Sequence, residues 1–314
     1  MDEKKDNRPW IEKYRPNKFN DIVLDPLNRK LLENIVSQNN FPNLLFYGPP
    51  GTGKTTTIIN LINKYQEVYN QKRKGLKIHL NASDDRGIDI IRNQINQFVN
   101  TKTLFGNGMK FVILDEVDYM TKNAQQALRY LIQQYSTNIR FCLICNYISR
   151  IDSALQNEFI RLRFCQLPKK DIFSFLEKIV EKEKLNITNK QMKNIQHRFK
   201  SDIRSMINYL QSNHNNINVN GNIFTDKFID KLLNKIKDKK ENGFKIIKNT
   251  CKKYNLQLKE FLLEFIHYLL TNKPNIITSN FLSKIQFIIH NNNVKDDLLV
   301  QYLLGELESL YNVL

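Results

Sequence analysis

The octapeptide Gly48-Pro-Pro-Gly-Thr-Gly-Lys-Thr55 most constrains the fold, because it fits the pattern G-x-x-x-x-G-K-[ST]. It follows the apolar run Leu44–Tyr47 and precedes the helical pattern of Thr56–Ile62, which predicts a strand, a loop and a helix in that order. Glycines let the loop amides turn toward phosphate oxygens, and the helix N-terminus adds its dipole. In this pattern Lys54 reaches the β- and γ-phosphates and Thr55 holds Mg²⁺. The loop therefore predicts ATP and Mg²⁺ as ligands.

Short apolar runs alternate with amphipathic stretches over residues 1–165, which is typical of a parallel sheet with helices on both faces. The runs are Asn43–Tyr47, Lys77–Leu80, Phe111–Leu114 and Arg140–Cys145. Strand patterns fade after Pro168, where apolar residues take helical spacing. The Asn-rich segment His214–Asn222 is predicted to be a linker, and Phe224–Leu314 to be helical. The predicted fold is an α/β core followed by helices.

Polar side chains end two of the predicted strands. The run Phe111–Leu114 leads into Asp115 and Glu116, so Asp115 is expected beside the metal and Glu116 as the general base that polarises the attacking water. Asn146 follows the strand Arg140–Cys145, where an amide would orient water against the γ-phosphate. Two alternatives stay open: the acids form a solvated turn, and Asn146 is a turn asparagine.

Composition limits the class of protein. The chain of 314 residues carries a formal net charge of +17, which favours a polyanionic partner such as nucleic acid, although a bias toward lysine and asparagine would give the same charge. No stretch approaches the roughly 18–20 apolar residues of a membrane helix. The polar start, Met1–Arg8, lacks the apolar core of a secretory signal. We therefore expect an intracellular protein.

Cys142 and Cys145 form a C-x-x-C pattern, which would be compatible with a zinc or redox site. The apolar flanks predict a buried strand instead, and strand residues three apart point to opposite faces. No second C-x-x-C pattern or pair of histidines supplies the other ligands of a zinc site. We therefore expect no zinc here.

Two further boxes give the pattern a family resemblance. The boxes are Trp10-Ile-Glu-Lys-Tyr-Arg-Pro16 and Leu80-Asn-Ala-Ser-Asp-Asp-Arg-Gly87. Together with the motifs at Gly48–Thr55, Leu114–Asp118 and Leu143–Asn146, they resemble the sequence motifs of replication factor C small subunits. These are sliding-clamp loaders of the AAA+ ATPase family. The resemblance implies a RecA-like AAA+ core with a parallel sheet over residues 1–165, a helical lid over 166–222, and a helical collar over 223–314 through which five subunits assemble.

The resemblance implies an ATPase subunit that opens a sliding clamp and loads it onto primer–template DNA. Its partners would be other clamp-loader subunits, the clamp and the DNA. It would act in the nucleus of a cellular eukaryote, and otherwise in the cytoplasm or a viral replication compartment. Two alternatives are an ATP-binding structural subunit without productive hydrolysis, and another AAA+ DNA-processing motor.

The resemblance also implies roles for single residues. The expected catalytic residues are Glu116, Asp115, Asn146 and Lys54, and the expected Mg²⁺ ligands are Thr55 and Asp115. Nucleotide contacts fall on Ile11, Arg15, Val23, Gly48, Pro49, Pro50, Gly51, Thr52, Gly53, Lys54, Thr55, Thr56, Asn146 and Arg204. Arg15 and Arg204 could instead be surface cations, and Ile11 and Val23 packed apolar residues. Asn81 is expected to be a switch that orients Glu116, or else a cap of the following turn.

DNA contacts are expected at Arg86, Arg92 and Lys122. They lie at the starts of two predicted helices, where N-termini and cations suit a phosphate backbone. The alternative is a solvated helix face. Leu104 and Phe105 would form either an apolar tip that faces the clamp or part of the core.

One position departs from the resemblance. Family small subunits place an arginine finger, which inserts into the neighbouring subunit's ATP site, where this chain has Glu158. Arg161 and Arg163 are poor substitutes, because the family has cations there too and on a strand both would share one face. The chain is therefore predicted not to activate the adjacent site. The chain's own ATP site keeps every group that the chain itself contributes, and it would hydrolyse ATP when a neighbouring subunit supplies the arginine.

Overall fold

A computed structural model of the protein describes residues 8–71, 75–83, 88–101, 108–135, 139–213, 226–237, 242–254, 257–291 and 294–313. The chain divides into two compact units. The first comprises Met1–Asn186 and Ile195–His214, and the second Ile187–Asn194 and Asn215–Leu314. The predicted boundaries after residues 165 and 222 stay a prediction.

The first unit contains a five-stranded parallel sheet in the order β2-β3-β4-β1-β5. Its strands are β1 (Leu44–Tyr47), β2 (Lys77–Asn81), β3 (Lys110–Asp115), β4 (Ile139–Cys145) and β5 (Ile160–Arg163). The four predicted runs all form strands. Since the strands are parallel, their carboxyl ends lie at one edge, where loops can gather polar groups around a ligand.

Helices cover both faces of this sheet. In the core the helices are α1 (Trp10–Lys13), α2 (Pro26–Ser37), α3 (Lys54–Val68), α4 (Ile88–Asn100), α5 (Lys122–Gln134) and α6 (Ser153–Gln156). Apolar residues of α2 and α3 share one buried cluster with Phe46 of β1, whereas those of α4 and α5 share another with Leu45. Successive strand residues thus serve opposite faces. This arrangement confirms the predicted α/β core.

The edge strand β5 was not among the predicted runs. Only Leu162 of its four residues is buried, while Ile160, Arg161 and Arg163 are exposed. Charged side chains are common on edge strands because they discourage pairing with other chains. The short alternating pattern was too weak to predict from the sequence.

Helices α7 (Lys169–Lys182), α8 (Asn189–Phe199) and α9 (Ile203–Asn213) follow the core. Asp202 caps α9, because its side-chain oxygens accept hydrogen bonds from the backbone and hydroxyl of Ser205. The predicted linker His214–Asn222 lies outside the described residues.

The described elements after residue 225 are helical, as predicted. They are α10 (Asp226–Lys237), α11 (Gly243–Tyr254), α12 (Leu258–Asn272), α13 (Ser279–His290) and α14 (Asp296–Val313), with a 3₁₀ turn at Pro274–Ile276. They share a single apolar cluster whose largest side chains include Phe261 and Phe265. Among the described residues, no helix is long and apolar enough to cross a membrane.

Candidate nucleotide-binding and catalytic site

The phosphate-binding loop leads from β1 into α3, as the motif predicts. Gly51 and Gly53 have φ values of +73° and +85°, a backbone region that favours glycine. Lys54 is buried, and its Nζ donates to the carbonyl oxygens of Gly48 and Pro49, both at 2.8 Å. Burial lowers the pKa of Lys54, against the opposing effect of Asp115. The amine is thus held inside the loop.

The acidic pair ends β3 beside this loop. The Thr55 hydroxyl donates to Oδ2 of Asp115 at 2.7 Å, so both predicted Mg²⁺ ligands meet. Burial by itself raises the pKa of Asp115, but the His79 imidazole 3.8 Å from its Oδ2 and hydrogen bonds from Thr55 and the Glu116 amide outweigh it and lower the pKa below the usual value. Asp115 is therefore an anion at neutral pH, as a metal ligand must be.

Glu116 has φ +57° and ψ +37°, a left-handed conformation that is uncommon for a non-glycine residue. Its amide donates to Oδ1 of Asp115 at 2.9 Å. Backbone strain of this kind is concentrated at functional sites, where the surroundings hold a side chain in a required direction. The Glu116 side chain lines the same cavity as Asp115.

Asn146 follows β4 and lies opposite the loop. Its Oδ1 accepts a hydrogen bond from Lys54 Nζ at 3.0 Å. The amides of Asn146 and Tyr147 donate to Oδ2 of Asp118 at 3.3 and 3.2 Å. The side chain is thereby held by the loop lysine and the backbone by a buried acid.

The N-terminal segment and the helices after the core form the remaining sides of the candidate site. Arg15 Nε donates to the Thr56 hydroxyl at 3.2 Å, and the Ile203 amide donates to the Gly51 carbonyl at 3.2 Å. Glu183 accepts hydrogen bonds from both Lys13 and Tyr14. A side chain on Gly51 would place its Cβ 1.8 Å from Asp202 Oδ1, so the loop and the start of α9 require glycine to approach this closely.

These elements enclose one cavity of about 500 Å³. Predicted site residues that line it are Ile11, Arg15, Val23, Pro50, Gly51, Thr52, Gly53, Lys54, Thr55, Thr56, Asp115, Glu116, Asn146 and Arg204. The volume is typical of a small-molecule site. An amine beside the loop and oxygen ligands at its end fit a nucleotide phosphate chain and Mg²⁺, respectively.

Some predicted residues lie elsewhere. Gly48 and Pro49 contribute the carbonyls that hold Lys54 rather than cavity lining. Lys122 is exposed as the first residue of α5. Arg86, Leu104, Phe105 and the side chain of Arg92 lie outside what the structure describes. The lining also includes residues that the sequence reasoning missed, namely Glu12, Tyr14, Pro16, Ile22, His79, Phe175, Ile203 and Ile207.

Asn81 ends β2 next to Asp115, its register partner on β3. Its Oδ1 accepts hydrogen bonds from the amide and the hydroxyl of Ser83, at 3.1 and 3.0 Å. Asn81 thus makes the contact of a residue that caps the following turn. The role as a switch stays a prediction.

The Glu158 side chain contacts helix α5 of its own chain. Its Oε1 accepts a hydrogen bond from Gln133 Nε2 at 2.8 Å and lies 3.4 Å from Arg129 Nε. The next residue, Phe159, is buried in the core. The carboxylate at the expected position of the arginine finger is thus engaged by its own chain.

Cys142 and Cys145 lie in the two different apolar clusters, one on each face of the sheet. The prediction that they point to opposite faces is confirmed.

At pH 8, iodoacetamide is expected to label exposed Cys165 at least about tenfold faster than Cys145 in the folded protein, because the thiolate is the reactive form. Burial, with nearby Asp118, raises the pKa of Cys145 to about 12, so little thiolate forms at that pH. Peptide mass spectrometry measures the rates. In urea the two rates should converge, whereas equal rates in the folded protein would contradict the burial of Cys145.

Comparison with known proteins agrees with this architecture. Residues 44–167 match the family model described as "ATPase family associated with various cellular activities (AAA)". A solved structure of a RuvB mutant from Thermotoga maritima is similar with a TM-score of 0.53 and 15% identity, covering 96% of this chain and 91% of that one. At this identity the similarity shows the fold alone. The fold, the phosphate-binding loop and the family match over residues 44–167 agree in placing an AAA ATPase core in this part of the chain.

Curated relatives indicate which group of AAA ATPases this chain is similar to. Replication factor C subunit 5 of Homo sapiens is 45% identical over 207 residues, which are 66% of this chain and 60% of that protein. Replication factor C subunit 3 of Schizosaccharomyces pombe is 43% identical over 206 residues, which are 66% of this chain and 59% of that protein. The matches thus span about three fifths of these relatives. The predicted resemblance to small subunits of replication factor C is confirmed.

Proposed function

We propose that this chain is an ATPase subunit of a clamp-loader complex, which uses ATP binding and hydrolysis to open a sliding clamp and load it onto primer–template DNA. One observation carries the proposal. A single cavity brings Arg15 of the N-terminal box together with Lys54, Glu116, Asn146 and Arg204. Similarity to replication factor C subunits supports the choice of a clamp loader over other AAA ATPases.

Each group has a role in this proposal. Lys54 and the loop amides bind the phosphates, while Thr55 and Asp115 hold Mg²⁺, which supplies charge neutralisation when bound. Glu116 accepts the proton of the attacking water, and Asn146 orients that water. Arg204 reaches the γ-phosphate, and Ile11, Arg15 and Val23 hold the adenosine end. Hydrolysis further depends on an arginine from a neighbouring subunit.

Assembly is proposed to run through residues 223–314. Several large apolar side chains of this region are exposed, as in a subunit interface. They are Leu263, Leu270, Leu282, Phe287, Ile289, Leu298 and Tyr302. Lys122, at the exposed start of α5, is a candidate DNA contact together with Arg86 and Arg92. We further propose that the complex acts in the nucleus when the source is a cellular eukaryote.

Glu158 favours a second candidate, a subunit that binds ATP but serves the ring without productive hydrolysis. A carboxylate held by Arg129 and Gln133 offers no cation to a neighbour. Intact Glu116 and Asn146 argue against this candidate for the chain's own site.

Clamp capture tests the proposed function. The chain, assembled with replication factor C partner subunits of the same source, should retain the sliding clamp on beads in the presence of a non-hydrolysable ATP analogue. Primer–template DNA with ATP should then transfer the clamp to the DNA. A complex without this chain provides the control. Equal capture with and without the chain, or with and without nucleotide, would reject the clamp-loader assignment.

A further inference from the structure

Asp118 is a buried acid that the proposed mechanism leaves without a role. It is only 5% exposed and lies in the 3₁₀ turn Val117–Tyr119, directly after the acidic pair. Its Oδ1 has no hydrogen-bond partner within the described part of the chain. Burying a carboxylate with one oxygen unpaired costs free energy. A group retained at that cost calls for an explanation other than stability.

The bonded oxygen of Asp118 joins two strand ends. Oδ2 accepts hydrogen bonds from the amides of Asn146 and Tyr147, which follow β4, while the Asp118 backbone follows β3. These strands are paired neighbours, with Leu114 opposite Leu143. The side chain therefore links the loop that carries Glu116 to the loop that carries Asn146.

Asn146 is thereby held from two sides. Lys54 Nζ contacts its side-chain oxygen at 3.0 Å, and Asp118 fixes its backbone amide. An ionised acceptor holds an amide more strongly than a neutral one. A displacement of about 1 Å at a group that orients a reactant is enough to slow a reaction strongly.

We propose that Asp118 is a positioning residue that locks Asn146 in register with Glu116, and this inference rests on the proposed ATPase function. It touches neither nucleotide nor metal in this role and acts through the backbone amides of Asn146 and Tyr147. Its charge therefore serves turnover at a cost in stability. A merely structural acid would instead raise stability and turnover together.

Asp118→Asn provides the sharpest test, because the amide keeps the shape and one acceptor oxygen but removes the buried charge. We expect ATP turnover at this chain's own site in the assembled complex to fall about tenfold, and about 100-fold for Asp118→Ala. The dissociation constant for ATP should stay within about threefold. The melting temperature of Asp118→Asn should equal or exceed that of the unmodified chain.

The matched control is Asp152→Asn. Asp152 caps α6 through a bond from the Ala154 amide at 2.8 Å and contacts neither strand end through its side chain. ATP turnover of the Asp152→Asn variant should remain unchanged. Turnover and melting temperature that fall in step at Asp118 would overturn the proposal, as would turnover that does not fall.

Hydrogen exchange separates this inference from the proposed function. In the full chain without nucleotide, the Asn146 and Tyr147 amides should exchange faster in Asp118→Ala than in the unmodified chain. Unchanged exchange would overturn the positioning role. Clamp capture that does not depend on this chain would instead reject the proposed function, and the exchange result would stand independently of it.

Discussion

Replacing Glu116 by glutamine is expected to slow ATP hydrolysis about 10³-fold while leaving ATP affinity unchanged. Glutamine has the same shape but cannot accept the proton of the attacking water. The amide hydrogen bond from residue 116 to Asp115, at 2.9 Å, involves only the backbone and should persist. The oxygen ligands expected for Mg²⁺, Thr55 and Asp115, are also untouched.

Single-turnover hydrolysis by the assembled complex and equilibrium binding of a fluorescent ATP analogue measure the two quantities separately. Glu33→Gln is the matched control, because it removes the same charge from the exposed face of α2. A loss of less than about tenfold would mean that another group acts as the base. A parallel loss of affinity would mean that Glu116 holds the cavity together instead.

The positions of the strands and the loop could be predicted because local patterns determine them. The predicted runs of β1, β3 and β4 supply buried residues for both faces of the sheet, and the loop needs glycines between a strand and a helix. Asp115, Glu116 and Asn146 then had to meet, since parallel strands bring their carboxyl ends to one edge.

Other features depend on contacts between different elements of the fold, which no single local pattern contains. Lys110 begins β3 although it is charged, because its Nζ donates to the carbonyls of Phe98, Val99 and Thr101 at the end of α4. Tyr14 meets Glu183, which is 169 residues away. The unpaired oxygen of Asp118 was equally hidden, because the motif Leu114–Asp118 does not show which groups this side chain contacts. Pattern reasoning does not reach such contacts.

Glu158 has one feature that could be predicted from the sequence and one that could not. The sequence and the family resemblance identified the charge reversal, but its partners Arg129 and Gln133 became known only from the structure. The pair with Arg129 is partly exposed, with 42% and 27% of the two side chains accessible, so it contributes only about 0.5 kcal/mol. The contact is therefore weak enough to be replaced without unfolding the chain.

Replacing Glu158 by arginine is expected to raise hydrolysis at the neighbouring subunit's site about 10³-fold, the low end of the range for an arginine finger. Repulsion from Arg129 would turn the new guanidinium away from α5. Both complexes should carry Glu116→Gln in this chain, so that its own site contributes little hydrolysis. Glu158→Gln is the control, because it removes the negative charge without supplying a cation, and it should give no comparable gain. If Glu158→Arg binds nucleotide normally yet gives no gain, the charge reversal is not what silences the neighbouring site.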